Sequence, residues 1–197
     1  AHAKEMGTSV DKASMRPVYF TKFPAMLAES GCTAPYPPET RDYHHEVELI
    51  VALAEGGFRV SVEQAARMIF GYACGLDMTR RDLQSAAKAK GNPWDVAKNV
   101  EAGAVASEIV AARGQVLHQG EISLKVNGEV RQRGNLADMI WSVPEIIADL
   151  STYYHLQAGD LIYTGTPEGV GPVQIGDRLE GQIEGVGSLR FDIGAAE

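Results

Sequence analysis

The chain has 197 residues, 45% hydrophobic and 22% charged, an ordinary balance for a globular domain large enough to bury a sizeable core. Its formal net charge of −8 works against a polyanionic partner, which needs clustered Lys and Arg, so no nucleic acid is expected to bind. No apolar run is long enough to cross a bilayer, so no membrane partner is expected, and Cys32 and Cys74 are too few for a disulfide framework, which makes a reducing cytoplasm the expected setting.

Residues 1–40 carry Pro17, Pro24, Pro35, Pro37 and Pro38 and read as loop with short extended pieces. Tyr43 to Ala54 reads as a strand, with Glu46, Glu48 and Ile50 on one face and Val47, Leu49 and Val51 on the other. Gly56-Gly57 turns the chain. Ser61 and Gln64 then form a capping-box signature, and Ala65, Met68, Ile69 and Tyr72 continue at helical spacing. Thr79 is the expected N-cap of a second helix, with Asp82 at its third position and Gly91 as its stop.

The second half is richer in strands. Glu121 to Gln132 predicts a hairpin around Asn127-Gly128. Leu136 to Leu150 reads as helix, with Pro144 either starting a new helix or kinking this one. Asp160 to Thr164 reads as a short strand, Gly165 to Gly171 as a tight loop, and Arg178 to Ile193 as two strands around Gly185-Val186-Gly187. Strands, then helices, then strands predict a strand-dominated α+β fold with no internal boundary strong enough to divide it.

Glu46 and Glu48 open the chemistry. Side chains two apart on a strand share a face, roughly 7 Å from each other along the chain. Carboxylates placed together repel unless a cation lies between them, and hard oxygen ligands favour Mg²⁺, Mn²⁺ or Ca²⁺ over Zn²⁺. An isolated Glu-x-Glu is nonetheless more often a solvent-facing strand edge. His44 shares the carboxylate face and is a candidate fourth ligand or outer partner, although a surface histidine pair, His44-His45, is the commoner outcome. With Thr79 as cap, Asp77 is left free to point elsewhere. Arg81 and Gln84 share a helix face, suited either to a solvated salt bridge or to a substrate carboxylate. Gly165, Gly169 and Gly171 permit close backbone approach to a small anion, or simply make a structural turn; their spacing is not that of a dinucleotide-binding loop.

Three runs now fall into one pattern. Tyr43-His44-His45-Glu46-Val47-Glu48-Leu49, then Gly71 through Gln84 with Leu76-Asp77-Met78-Thr79 at its centre, then Tyr163-Thr164-Gly165-Thr166-Pro167-Glu168-Gly169-Val170-Gly171 resemble the fumarylacetoacetate hydrolase family. Asn92-Pro93-Trp94, Lys98 and Met139 to Glu145 fit it too, so the resemblance covers nearly the whole chain.

The resemblance implies a mixed β-sandwich or roll with a few flanking helices, acting as one catalytic domain over residues 1–197, with residues 1–15 as a lid segment. Family members carry a further strand ahead of that segment, so the chain is expected to begin part-way into the family pattern. The implied metal ligands are Glu46, Glu48 and Asp77, holding one Mg²⁺ or Mn²⁺ per subunit of a homodimer. The implied catalytic residues are His2, as general base, Glu5, which orients it, and Lys98, at the oxyanion. Arg81, Gln84, Thr166 and Lys22 are the implied substrate contacts, with Arg41, Arg80 and Lys22 as candidates for the distal carboxylate. The expected reaction is hydrolysis of a carbon–carbon bond in a small 2,4-dioxo acid, with fumarylpyruvate as the expected substrate in gentisate-type aromatic degradation. Decarboxylation or tautomerisation of oxaloacetate is the alternative, because it uses the same enolate chemistry. A metal-dependent binding protein without catalysis is a third possibility.

Overall fold

The computed structural model describes residue 12 and residues 14–196. His2, Glu5 and most of the expected lid segment therefore lie outside the described residues.

Among the described residues, fourteen strands and four α-helices follow a short 3₁₀ turn at Pro24–Met26. They are β1 (Leu27–Glu29), β2 (Thr33–Pro35), β3 (Tyr43–His45), β4 (Val47–Leu53), α1 (Val62–Arg67), β5 (Ile69–Asp77), β6 (Thr79–Arg80), α2 (Arg81–Lys90) and α3 (Asp95–Lys98). The second half contributes β7 (Ala104–Ala106), β8 (Val110–Ala111), β9 (Glu121–Val126), β10 (Glu129–Asn135), α4 (Val143–Leu150), β11 (Leu161–Tyr163), β12 (Gly171–Pro172), β13 (Arg178–Ile183) and β14 (Gly187–Gly194). The result is the strand-dominated α+β architecture expected from the order of elements.

One sheet runs β1-β7-β5-β4-β11, with β8 pairing β5; a second runs β10-β9-β13-β14-β2; a small third runs β12-β3-β6. The second sheet packs on the first through β9 on β4 and through β13 and β14 on β5. Val47, Leu49 and Val51 enter a core shared with Leu124, Leu179 and Phe191, all buried. Each such side chain contributes about 1.5–3 kcal/mol through removal of apolar surface from water. The alternate residues, Glu46, Glu48 and Ile50, face away from that core, yet they too are buried. The strand expected over Tyr43–Ala54 is thus covered on both sides, and it breaks at Glu46 into β3 and β4.

Local signals account for several boundaries. Ser61 and Gln64 form both halves of the expected capping box on α1, and α2 ends at Gly91. Asn127 and Gly128 take φ of 53° and 85°, the twist that a two-residue hairpin needs between β9 and β10. The expected helix from Leu136 to Leu150 divides into a 3₁₀ turn at Leu136–Asp138 and α4, which begins at a Ser142–Glu145 capping box with Pro144 in its first turn.

Two expectations fail. The helix expected to continue through Met68, Ile69 and Tyr72 stops at Arg67, and Ile69–Asp77 is a central strand. All of its residues except Phe70 are buried, so neither a 2.0 nor a 3.6 period marks it. Thr79 does not cap α2. It lies in β6, fully buried, and the capping position falls to Arg80, whose side chain makes no capping hydrogen bond.

Candidate metal and catalytic site

The antiparallel register of β4 and β5 sets Glu48 opposite Gly75 and Val47 opposite Leu76. The Asp77 amide donates to the Glu46 carbonyl at 2.9 Å, carrying the pairing to the end of β5. Three carboxylates from two neighbouring strands thereby gather on one face. One oxygen from each of Glu46, Glu48 and Asp77 lies within 4.8 Å of the others, and all three residues are at most 5% exposed.

Three cations surround them. Lys98 Nζ donates to Glu46 Oε2 at 2.9 Å, Asp77 Oδ2 at 2.6 Å and Thr79 Oγ1 at 2.7 Å. The guanidinium of Arg81 donates to Glu46 Oε1 and, at 2.5 Å, to Gln84 Oε1. Lys22 Nζ lies 2.9 Å from Asp77 Oδ1 but directs its protons to the carbonyls of Met78 and Gly103, each at 3.1 Å, and of Lys98. Asp77 Oδ1 is therefore buried beside a charge yet receives no hydrogen bond. Proximity without donor alignment leaves that oxygen's lone pairs available.

The electrostatics divide the carboxylates. Burial would raise Glu46, but Lys98 and Arg81 overcome it and hold the carboxyl down near 2. Glu48 is pushed up to about 8 by burial and then by the charges of Asp77 and Glu46; the Gly165 amide, donating to its Oε2 at 2.7 Å, offsets only part of this. Burial would lower Lys98, but Asp77 and Glu46 raise it, so it remains an ammonium. Burial lowers Lys22.

These residues fit a hard divalent cation. The donors are carboxylate oxygens from a rigid pair of strands, one oxygen is unbonded, and the neighbouring carboxyl is uncompensated. The histidines take no part in this cluster. His44 Nε2 pairs with Asp42 at 2.7 Å and its Nδ1 receives Arg81 Nε at 3.4 Å, while His45 Nδ1 lies 3.0 Å from Gln132 Oε1. His44 as a fourth ligand is thus replaced by His44 as a prop for Arg81.

The expected substrate contacts divide as well. Arg81 and Gln84 stand beside Glu46 on the first turn of α2, and Thr166 lies in the loop whose Gly165 amide meets Glu48. Lys22, also expected as a substrate contact, gives its protons to backbone carbonyls behind Asp77. Arg80 is likewise tied to the carbonyls of Pro38 and Val96. The close approach allowed by the glycine-rich loop is made to the protein itself: a Cβ on Gly169 would sit 2.1 Å from the Arg131 carbonyl oxygen.

Two residues near the site escaped the sequence reading. Phe20 places its ring 4.6 Å from Lys98 Nζ and leans on Trp94. Gln132, fully buried on β10, joins His45 and Val47 to Thr166 and Pro167. Nothing in the composition of the hairpin expected over Glu121 to Gln132 marks Gln132 as inward-facing. A cleft of about 610 Å³ lies elsewhere, between Tyr72, Leu117, His118 and Val186, and contains none of these residues. The candidate site is therefore defined by its chemistry and not by concavity.

Comparison with known proteins agrees with this geometry. The chain is 57% identical over 192 residues to fumarylpyruvate hydrolase from a Ralstonia species, covering 98% of this chain and 100% of that protein. It is 42% identical over 194 residues to the mitochondrial oxaloacetate tautomerase of Arabidopsis thaliana, covering 98% and 86%. The crystal structure of fumarylpyruvate hydrolase from Pseudomonas aeruginosa in complex with Mn²⁺ and pyruvate superposes with a TM-score of 0.93 at 40% identity, covering 99% of this chain and 85% of that one. Residues 1–194 match the family described as fumarylacetoacetate (FAA) hydrolase C-terminal, and with that match the chain belongs to the fumarylacetoacetate hydrolase family.

Proposed function

We propose that this protein is a hydrolase that cleaves the C3–C4 bond of fumarylpyruvate, releasing fumarate and pyruvate. The carrying observation is the buried Glu46–Glu48–Asp77 cluster with its unbonded Asp77 oxygen, in a chain so similar over its full length to a fumarylpyruvate hydrolase. Those three carboxylates would hold one Mg²⁺ or Mn²⁺. When bound, the cation supplies Lewis acidity toward the carboxylate and 2-oxo oxygens of the substrate and toward negative charge developing on its pyruvate half.

The chain's own residues take the remaining tasks. His2, oriented by Glu5, is our candidate base; both lie outside the described residues. Water adds through oxygen to C4, and its proton passes to His2. Lys98, whose protons are held by Glu46, Asp77 and Thr79, would lend its positive charge to the oxyanion. The C3–C4 electron pair then moves to C3, and a proton delivered there completes pyruvate. Arg81, Gln84 and Thr166 hold substrate oxygens, and Phe20 shields Lys98 from bulk water. Lys22 steadies Asp77 from behind.

We also read residues 1–197 as one catalytic domain of a cytoplasmic homodimer serving gentisate-type aromatic degradation. No helix among the described residues is long and apolar enough to cross a membrane, which is compatible with that setting. Oxaloacetate decarboxylation or tautomerisation is the second reading, favoured by the similarity to an oxaloacetate tautomerase.

Loss of dioxo-acid ultraviolet absorbance, followed with Mn²⁺, with Mg²⁺ and with EDTA, tests the proposal. Fumarylpyruvate should be consumed with either metal and spared in chelator. Faster consumption of oxaloacetate than of any acylpyruvate would assign the second reading instead.

A further inference from the structure

Pairing of β10 with β9 shifts register between Val130 and Gln132. The bulge leaves Glu129, Val130 and Arg131 exposed in succession and turns Gln132 inward, where it is 0% exposed. Two backbone groups with fixed roles orient its amide. Oε1 accepts from the Val47 amide at 3.0 Å, and Nε2 donates to the Pro167 carbonyl at 3.0 Å. The other contacts follow. His45 Nδ1 must carry the proton it shares with Oε1 at 3.0 Å, and Nε2 must donate its second hydrogen to Thr166 Oγ1 at 2.8 Å. A hydroxyl has one hydrogen and two acceptor sites. Gln132 fills an acceptor site of Thr166, so the Thr166 hydrogen is left for another acceptor.

We propose that Gln132 is a positioning residue that holds the Thr166 hydroxyl as a hydrogen donor toward an anionic oxygen of the substrate. The same amide grips His45 and Val47, the two neighbours of Glu46, so it joins the carboxylate strand to the substrate-facing loop in one rigid unit. This rests on the reading of Thr166 as a substrate contact in a dioxo-acid hydrolase. Gln132 itself touches neither substrate nor reacting atoms.

A double-mutant cycle on the Mn²⁺-loaded enzyme tests it, with Gln132→Met, Thr166→Val and the pair. The readouts are kcat and KM for fumarylpyruvate and calorimetric affinity for pyruvate. Each single variant should raise KM and weaken pyruvate binding by about tenfold, the scale of one hydrogen bond to a charged group. The double variant should be no worse than the weaker single. Additive losses, or a fall in kcat at unchanged KM, would overturn the proposal. Gln132→Glu keeps an oxygen toward Val47 and His45 while losing the donor half, and it carries the same comparison where the methionine variant does not fold. Unchanged pyruvate affinity in that variant also overturns the proposal. A non-additive pyruvate cycle in an enzyme that does not turn over fumarylpyruvate would sink the functional reading and leave the positioning role standing.

Discussion

Glu48 is the carboxylate for which the surrounding cations do least. Arg81 serves Glu46, and Lys98 bridges Glu46 and Asp77, while Glu48 accepts a hydrogen bond from the Gly165 amide. Burial and the charges of Asp77 and Glu46 push its carboxyl up to about 8. A carboxyl raised in the folded state contributes stability that is fully present below its unfolded value of about 4.5 and is lost as pH rises through about 8. Glu48→Gln keeps the shape and removes the titration. In EDTA the variant should melt above wild type by a margin that widens from about pH 5 to about pH 8 and levels off above it. His44, His45 and Lys22, all lowered by burial, titrate in both proteins and cancel in the difference. A margin constant across that range would contradict the assignment. With metal present the order should reverse, since the variant has lost a ligand.

At the scale of elements, the bulge of β10 and the loop from Gly165 to Gly171 form one device. Gly169 has φ of 91° and lets the loop lie directly on the bulge, where a Cβ would meet the Arg131 carbonyl. Gly169→Ala should therefore cost about 1–3 kcal/mol or more from steric overlap and backbone strain. At this chain length that is a drop of roughly 3–10 °C in Tm, read by thermal melting. An unchanged Tm would show that the loop does not depend on this contact. Elements with local signals were legible from the residues: the Ser61–Gln64 box, the Asn127-Gly128 turn and the shared face of Glu46 and Glu48. β5 was not, because a strand covered on both faces shows no period, and its apolar run also suited a helix. Thr79 has the chemistry of a cap, but tertiary burial used its hydroxyl for Lys98. Gln132 was invisible because one inserted residue shifts the inward positions of β10 without leaving a mark in composition.

For the whole molecule, the gathered carboxylates link metal binding to folding. The unfolded chain does not assemble Glu46, Glu48 and Asp77, so a cation binds the native state alone and stabilises it by mass action. Mn²⁺ at a hundred times its Kd should add about 2.7 kcal/mol, or roughly 5–10 °C in Tm, and EDTA should reverse it. Asp77→Asn should show little of this shift, and a full shift in that variant would remove Asp77 from the ligand set. The pairing of β4 with β5 has a further consequence, for descent. These strands lie inside a sheet, with β7 beyond one and β11 beyond the other. A single-residue insertion within either strand would slip the register and send its carboxylates to the opposite face. Lineages sharing this pair can lengthen, shorten or rewrite their loops, but they inherit the carboxylates as an indivisible part, so a new substrate has to be accommodated at the rim of an old reagent.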